Sequence, residues 1–170
     1  MKPVRTLWPW ALLALAWLAF AAYVWLSAGR LPERVATHFG LNGEPNGWET
    51  HADYVRSTLV FGSVVPAFIV ALFVAMRLGN GWGLNIPHKD YWLAPERRQE
   101  TLAFVQRQGL CFAALLIAFF AGMHYFILAA NAQAPANLPS SFAFRLGGAF
   151  LAATIIWVAT FTGHFFRKPL

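Results

Sequence analysis

Residues 31–54 read LPERVATHFGLNGEPNGWETHADY and form a long polar, turn-rich stretch between two strongly apolar parts of the chain. Asn42-Gly43 and Pro45-Asn46-Gly47 are strong turn signals, because asparagine and glycine tolerate the positive φ that tight turns need. The stretch holds four of the seven acidic residues and two of the five histidines: Glu33, Glu44, Glu49, Asp53, His38 and His51. If the protein recognises a ligand outside a membrane, this segment is the first place to look.

The composition of the chain is that of a membrane protein. Of its 170 residues, 58% are hydrophobic and only 12% are charged, whereas soluble domains are about 25% charged. The excess apolar surface must face lipid, and it falls in four nearly uncharged runs, residues 7–26, 59–76, 110–130 and 146–163. Each run is close to the roughly 20 residues that span a bilayer as a helix.

These runs predict an all-α membrane protein that forms a single domain. Its transmembrane helices are expected at about residues 7–28, 56–77, 107–130 and 142–165. An outer loop at about residues 29–55 and an inner loop at about residues 78–106 would connect them. The outer loop, which contains the polar stretch, is expected to be a small structured unit between the first two helices.

The first apolar run is expected to be a retained helix rather than a signal peptide. Lys2 and Arg5 precede it, as basic residues precede a signal sequence. The run is nevertheless longer than the usual apolar core of about 7–15 residues, and it ends without a convincing small-x-small cleavage site. We therefore count it as the first span.

The basic residues predict the orientation of the helices. The net charge of +6 is spread over helix ends, so we expect no nucleic-acid partner. Nine basic side chains flank one side of the predicted bundle, namely Lys2, Arg5, Arg77, Lys89, Arg97, Arg98, Arg107, Arg167 and Lys168. Four flank the other side, namely Arg30, Arg34, Arg56 and Arg145. The positive-inside rule then places both termini in the cytoplasm and the polar stretch outside.

Two local structures fit the start of the polar stretch. Pro32 at the beginning and Gly40 after the apolar positions fit a two-turn helix that ends in a glycine cap. The alternation of Val35, Thr37 and Phe39 fits a short strand nearly as well. The pattern does not choose between the two.

The end of the polar stretch carries a helix-start signal. Thr50 and Asp53 have the spacing of a capping box, in which a hydroxyl and a carboxylate satisfy the free amides of a first turn. The second helix is therefore expected to begin near His51. Trp48, just before it, suits the membrane interface.

The inner loop contains a segment that we expect at the membrane interface. Its aromatic and basic side chains favour contact with lipid headgroups, and Lys89 can reach lipid phosphate. The residues assigned to this interface are Lys89, Tyr91, Trp92, Arg97 and Arg98. Pro95 suits the first turn of the next helix, so the third helix is expected to start there, before its apolar run.

The candidate recognition residues are polar and aromatic side chains that the predicted topology places at the outer end of the bundle. They are His38, Phe39, Asn46, Trp48, His51, Asp53, His124 and Arg145. Histidine and carboxylate side chains can ligate divalent metals, but the spacings are irregular and no H-x-x-x-H or H-E-x-x-H signature is present. We therefore expect no metal and no other cofactor. A hydrogen bond of His38 within its turn and a helix cap by Asp53 would explain why these two residues are present.

His124 lies within the third apolar run, near its outer end. Burying a charged group at mid-membrane costs about 2.5–3.5 kcal/mol, so an ionisable residue in a span is a candidate for function. A role in binding a ligand or moving a proton fits this position. Packing against a hydroxyl or a loop carbonyl fits it too.

The sequence contains no evident constellation of catalytic side chains. It lacks a nucleophile with an adjacent base, a glycine-rich phosphate loop and paired carboxylates within a span. We therefore expect no enzymatic activity, and the scarcity of acidic residues in the spans argues against an ion pump. The single cysteine, Cys111, cannot form an intrachain disulfide and is expected to be a small buried side chain.

The motif LPERVATHFGLNGEPNGW resembles the extracytoplasmic domain of unknown function in bacterial membrane proteins of the SdpI type, whose namesake confers immunity to a sporulation-delaying peptide toxin. The matching positions are Leu31, Pro32, Thr37, His38, Phe39, Gly43, Pro45, Asn46, Gly47 and Trp48. The inner segment NIPHKDYWLAPERR also looks like one in uncharacterised relatives. No counterpart of the immunity protein's further C-terminal membrane segments is found, so architecture transfers more safely than activity.

The resemblance implies a protein of the bacterial inner membrane. Its outer segment is expected to recognise a peptide, an envelope component or a protein partner, in immunity or signalling. An accessory or structural subunit of a larger membrane complex is an alternative, since the helices are aromatic and show little chemistry. A small transporter or a metal-binding sensor is a third. The expected partners are the lipid bilayer and a peptide or protein at the outer segment, and an oligomer is compatible with the sequence.

Overall fold

The computed structural model describes residues 7–167, so Lys2, Arg5 and Lys168 lie outside the described residues. The elements follow in the order α1 (Trp8–Ser27), a 3-10 turn (Ala28–Arg30), β1 (Arg34–Phe39), β2 (Pro45–Thr50), α2 (His51–Leu78), α3 (Lys89–Trp92), α4 (Arg98–Asn131) and α5 (Ser140–Phe166). Helices α1, α2, α4 and α5 are long and apolar enough to cross a membrane. The predicted fold class is confirmed, and the structured loop after the first span contains a two-stranded sheet.

Helix α4 lies at the centre of the bundle and packs against α1, α2 and α5. Glycines allow close approach of the helices: an added Cβ would lie 2.2 Å from the Phe73 side chain at Gly109, and 2.3 Å from the Phe20 ring at Gly62. The α2–α4 and α1–α2 contacts therefore need a residue without a side chain at these two positions. Helix α5 packs chiefly on α4, and no residue of its apolar window is buried.

Helix α4 is longer than a bilayer requires. Its 34 residues extend about 51 Å at 1.5 Å per residue, compared with roughly 30 Å of hydrocarbon. Its first turns therefore project beyond the N-terminal end of α1, which reaches the level of Gln106. The sequence predicted a start near Pro95, and the helix begins three residues later at Arg98.

The polar stretch forms an antiparallel hairpin of β1 and β2, so the strand interpretation is correct and the two-turn helix is wrong. Val35 lies opposite Glu49, and Ala36 lies opposite Trp48. The connecting turn places Gly43 at a φ of 82°, a left-handed conformation that favours glycine. We refer to β1, β2 and this turn as the outer hairpin, and to the end of the bundle that carries it as the outer end; both names follow the predicted orientation.

The outer hairpin leads directly into α2 through the predicted cap. Thr50 Oγ1 accepts a hydrogen bond from the Asp53 amide at 3.1 Å and donates one to Asp53 Oδ2 at 2.7 Å. The His51 amide donates to the Glu33 carbonyl at 2.9 Å, which extends the strand pairing to the first residue of the helix. Helix α2 thus begins at His51 because its first free amides already have partners.

Apolar contacts and one amide side chain hold the outer hairpin against the bundle. Leu31 and Val35 are buried with Tyr54 of α2 and Ile127 of α4. Asn131, the last residue of α4, accepts from the Ala36 amide through Oδ1 and donates to the Ala36 carbonyl through Nδ2, both at 2.9 Å. The Asn131 side chain therefore takes the place of a third strand along one residue of β1.

A second core closes the opposite end of the bundle. Leu84 and Ile86 of the α2–α3 connection are buried with Leu102, Val105 and Phe165. Trp92 of α3 packs against this cluster, and its Nε1 donates to the Phe165 carbonyl at 3.2 Å. The α3 segment is therefore attached to α4 and α5 through a half-buried tryptophan.

Candidate functional site

The outer end of the bundle contains a buried polar triad built from three helices. Ser27 is the last residue of α1, Tyr54 lies in the first turn of α2, and His124 lies two turns before the end of α4. The Ser27 hydroxyl is 2.8 Å from His124 Nε2, and the Tyr54 hydroxyl is 2.8 Å from His124 Nδ1. His124 is almost completely buried, with 1% of its surface exposed. We refer to these three residues as the histidine triad.

The hydrogen bonds determine the tautomer of the imidazole. Ser27 Oγ donates to the Tyr23 carbonyl at 2.6 Å, so its oxygen accepts from Nε2–H of His124. Tyr54 O–H then donates to the unprotonated Nδ1, which a neutral imidazole offers as an acceptor. The Tyr54 ring stacks on His124 with centroids 5.7 Å apart, and the Tyr23 ring meets its edge at 5.1 Å. The histidine triad therefore joins α1, α2 and α4 around a neutral histidine with both nitrogens satisfied.

An apolar cavity of about 410 Å³ lies beside the outer hairpin. One wall is the segment from Thr37 to Leu41, which includes the predicted residues His38 and Phe39. The other walls come from α4 and from the start of α5, chiefly Phe119, Met123, Phe126 and Phe144. We refer to this space as the outer cavity.

The polar side chains that line the outer cavity are those of Thr37 and His38. His38 Nδ1 lies 3.0 Å from Thr37 Oγ1, and the His38 side chain packs over Gly47 of β2. Two apolar lining residues are largely exposed, Leu41 at 88% and Phe144 at 71%. The cavity thus offers a ligand a mainly apolar, aromatic lining with a few hydrogen-bonding groups, the usual character of a small-ligand or side-chain site.

Two further predicted residues lie on the exposed side of the outer hairpin. Trp48 is half exposed, and the Arg34 guanidinium lies 5.2 Å from its ring centroid. Asn46 is exposed on the same strand. Asn131 hydrogen-bonds the Ala36 backbone on the side of β1 that faces away from β2. Ala36 and Trp48 are therefore a non-hydrogen-bonded pair, and the Trp48 backbone points away from β1, along the free edge of β2.

The remaining predicted recognition residues have structural contacts. His51 Nε2 lies 3.0 Å from the Ala28 carbonyl and ties α2 to the end of α1. Asp53 caps α2 and forms an ion pair with Arg56 on the exposed surface. The Arg145 guanidinium lies 5.9 Å from the Phe142 ring of its own helix.

The eight predicted residues therefore do not form one site. His38 and Phe39 line the outer cavity, His124 belongs to the histidine triad, and the other five lie elsewhere on the outer end. In the chain from residue 7 to residue 167, no group of three or more histidine, cysteine, aspartate or glutamate side chains is placed to hold a metal ion.

Sequence reasoning missed three residues that matter for this end of the molecule. Tyr54 and Ser27 complete the histidine triad, and Asn131 fixes β1. Asn131 carried a usable signal, because it is the polar side chain at the end of a long apolar run. Tyr54 and Ser27 carried none, since their pairing with His124 spans 70 and 97 positions along the chain.

The predicted inner interface residues divide into two groups. Lys89 and Arg97 are exposed, and the Arg97 guanidinium lies 4.2 Å from the Tyr91 ring centroid. Trp92 and Arg98 instead contact the protein, with Arg98 Nε donating to the Leu93 carbonyl at 3.0 Å.

Comparison with known proteins identifies one domain. Residues 11–51 match the family described as a domain of unknown function, DUF1648, which occurs in membrane proteins of the SdpI type. The match covers most of α1, the outer hairpin and the first residue of α2. No curated protein and no solved structure matches the chain.

Proposed function

We propose that this protein is a non-enzymatic receptor of the bacterial inner membrane, similar to the SdpI type, whose outer cavity binds an apolar side chain of a peptide. Immunity to a membrane-active peptide, or signalling in response to one, is the corresponding role. The observation that carries the proposal is the outer cavity itself, because the matched domain supplies one of its walls through the outer hairpin.

The chemistry of the outer cavity suits an amphipathic peptide better than a fully polar ligand. Phenylalanine and methionine side chains line the interior, and aromatic contacts with a buried apolar side chain are a common source of binding energy. The lining also contains His38 and Thr37, which can exchange hydrogen bonds with a peptide backbone. A peptide that partitions into the membrane interface would meet both features at once.

A pair of adjacent glycines allows a matched test. Gly147 lines the outer cavity and Gly148 does not, and an added Cβ would contact nothing within 4 Å at either position. Gly147→Leu should place an apolar side chain in part of the cavity and block a ligand there, and Gly148→Leu makes the same change beside it. In a deletion strain challenged with a panel of membrane-active bacterial peptide toxins, the wild-type gene and Gly148→Leu should restore survival, and Gly147→Leu should not.

Two results would contradict the proposal. Equal survival of the deletion strain and its parent under every toxin would remove the immunity role. Full protection by Gly147→Leu, in amounts equal to the wild type, would show that the outer cavity does not bind the peptide.

A second candidate function is that of an accessory subunit in a larger membrane complex. It is favoured by α5, which packs chiefly on α4 and leaves Leu151, Ile155 and Ile156 exposed. Purification in mild detergent tests it: a stoichiometric protein partner that is lost when Ile155 and Ile156 are changed to serine would support this role, and a protein that purifies without one would count against it.

A further inference from the structure

The end of the bundle away from the outer hairpin contains a second cavity, of about 450 Å³. It lies between the start of α1, the end of α2 and the first third of α4. Its polar lining is Arg77, Gln106 and Arg107, and its apolar lining includes Leu7, Trp10 and Leu110. We refer to it as the inner cavity. It shares no residue with the outer cavity.

The two arginines of the inner cavity are held in place by the protein. Arg77 Nη1 donates to Oε1 of Gln106, whose side chain is buried in the α2–α4 contact. The Arg107 guanidinium lies 5.3 Å from the centroid of the Phe104 ring. Each guanidinium is therefore anchored on one side by a neutral group and keeps N–H donors for another partner.

No carboxylate neutralises these arginines in the described part of the chain. Within residues 7–167, the ion pair is that of Arg56 with Asp53, at the far end of α2. Two guanidinium groups thus line one cavity without an acidic side chain. That arrangement matches an anion, and guanidinium binds phosphate oxygens in a bidentate manner.

The apolar lining shows what kind of phosphate fits. Trp10 and Leu110 belong to spans, and Leu7 directly precedes the first span. Leu7 and Trp10 are 73% and 43% exposed, so the cavity is continuous with the lipid-facing surface of α1. An anionic phospholipid carries a phosphate beside acyl chains, and basic pockets between transmembrane helices bind such headgroups. We propose that the inner cavity binds the headgroup of an anionic phospholipid, with Arg77 and Arg107 contacting its phosphate. This site is independent of the proposed outer function.

The test is native mass spectrometry of the full chain in detergent, with phosphatidylglycerol or phosphatidylcholine added. The wild type should retain phosphatidylglycerol in preference, and Arg77→Gln with Arg107→Gln should weaken its binding by about tenfold. The matched control is Arg30→Gln with Arg34→Gln, which removes the same charge from exposed positions at the other end; it should bind as the wild type does.

Several outcomes would overturn the proposal. The wild type could bind the two lipids equally, or both double variants could lose phosphatidylglycerol binding equally. The third outcome is that the cavity variant, Arg77→Gln with Arg107→Gln, loses no binding. Excess inorganic phosphate should leave the lipid bound, and displacement by it would assign the site to free phosphate instead. If the cavity variant fails to fold, Arg107→Gln alone decides the matter, because Arg107 makes no structural hydrogen bond among the described residues.

Discussion

At the scale of single residues, His124 shows how a span accommodates an ionisable side chain. Its two ring nitrogens have partners on two other helices, and both partners are hydroxyl groups that remain neutral. Burial of a fully hydrogen-bonded neutral group costs far less than burial of a charge. The packing interpretation of His124 is therefore sufficient for this residue, without a role in proton movement.

Tyr54→Phe tests the histidine triad. The change removes the donor to Nδ1 and leaves a buried acceptor unsatisfied, which should cost about 1–3 kcal/mol of stability. The midpoint of thermal unfolding in detergent should fall, and the same change in a His124→Leu background should have a smaller effect because the pair is coupled. The control is Tyr125→Phe on the exposed face of α4. An equal effect of both tyrosine changes would argue against the triad.

Asn131→Asp tests the attachment of the outer hairpin. A carboxylate keeps the acceptor for the Ala36 amide and loses the donor to the Ala36 carbonyl, so β1 should open more readily. Hydrogen exchange at the amides of β1 should speed up by roughly tenfold, corresponding to the loss of about 1–2 kcal/mol. Gln133→Glu makes the same chemical change at a nearby exposed residue and should leave exchange unaltered. Unchanged hydrogen exchange in Asn131→Asp would show that the Asn131 side chain does not hold β1 in place.

At the scale of elements, local signals predicted much of the secondary structure. The Thr50-Asp53 spacing placed the start of α2 correctly at His51, because a capping box acts within one turn. The choice between strand and helix after Pro32 could not be made locally. It depends on pairing with β2 and on Asn131, which lies 95 positions away from Ala36.

The difference between local signals and contacts distant in sequence also explains which parts of the candidate site were predicted. His38 and Phe39 were selected from the motif and do line the outer cavity. The other walls could not be predicted, because the sequence of an apolar run does not show which of its phenylalanines face lipid and which face the outer hairpin. Which of them faces the outer hairpin depends on the rotation of α4 and α5, and that is fixed by tertiary packing.

Gly109→Ala tests the contact between α2 and α4. An added methyl group would collide with the base of the Phe73 side chain, which cannot move without shifting the helix, so we expect a loss of about 1–3 kcal/mol. Gly148→Ala is the control, because its added methyl meets open space and alanine is the better helix former. Thermal unfolding of both variants in the same detergent gives the comparison. A Gly109→Ala protein as stable as the wild type would mean that the helices are not closely packed there.

At the scale of the whole molecule, the two ends of the bundle differ in charge. Within residues 7–167, the end that carries the start of α1 has six basic and three acidic side chains, whereas the outer-hairpin end has four of each. The inner cavity lies at the basic end and the outer cavity at the neutral end. The proposed function of the outer cavity therefore requires that the basic end faces the cytoplasm, as the positive-inside rule expects.

Cysteine labelling tests that orientation most directly. In a Cys111→Ser background, Leu41→Cys places a thiol at the exposed tip of the outer hairpin, and Trp82→Cys places one in the exposed connection after α2. With a membrane-impermeant maleimide on spheroplasts, Leu41→Cys should be labelled at once, and Trp82→Cys should be labelled only after the membrane is permeabilised. Labelling in the reverse order, or of both thiols before permeabilisation, would contradict the placement of the outer hairpin outside the cell.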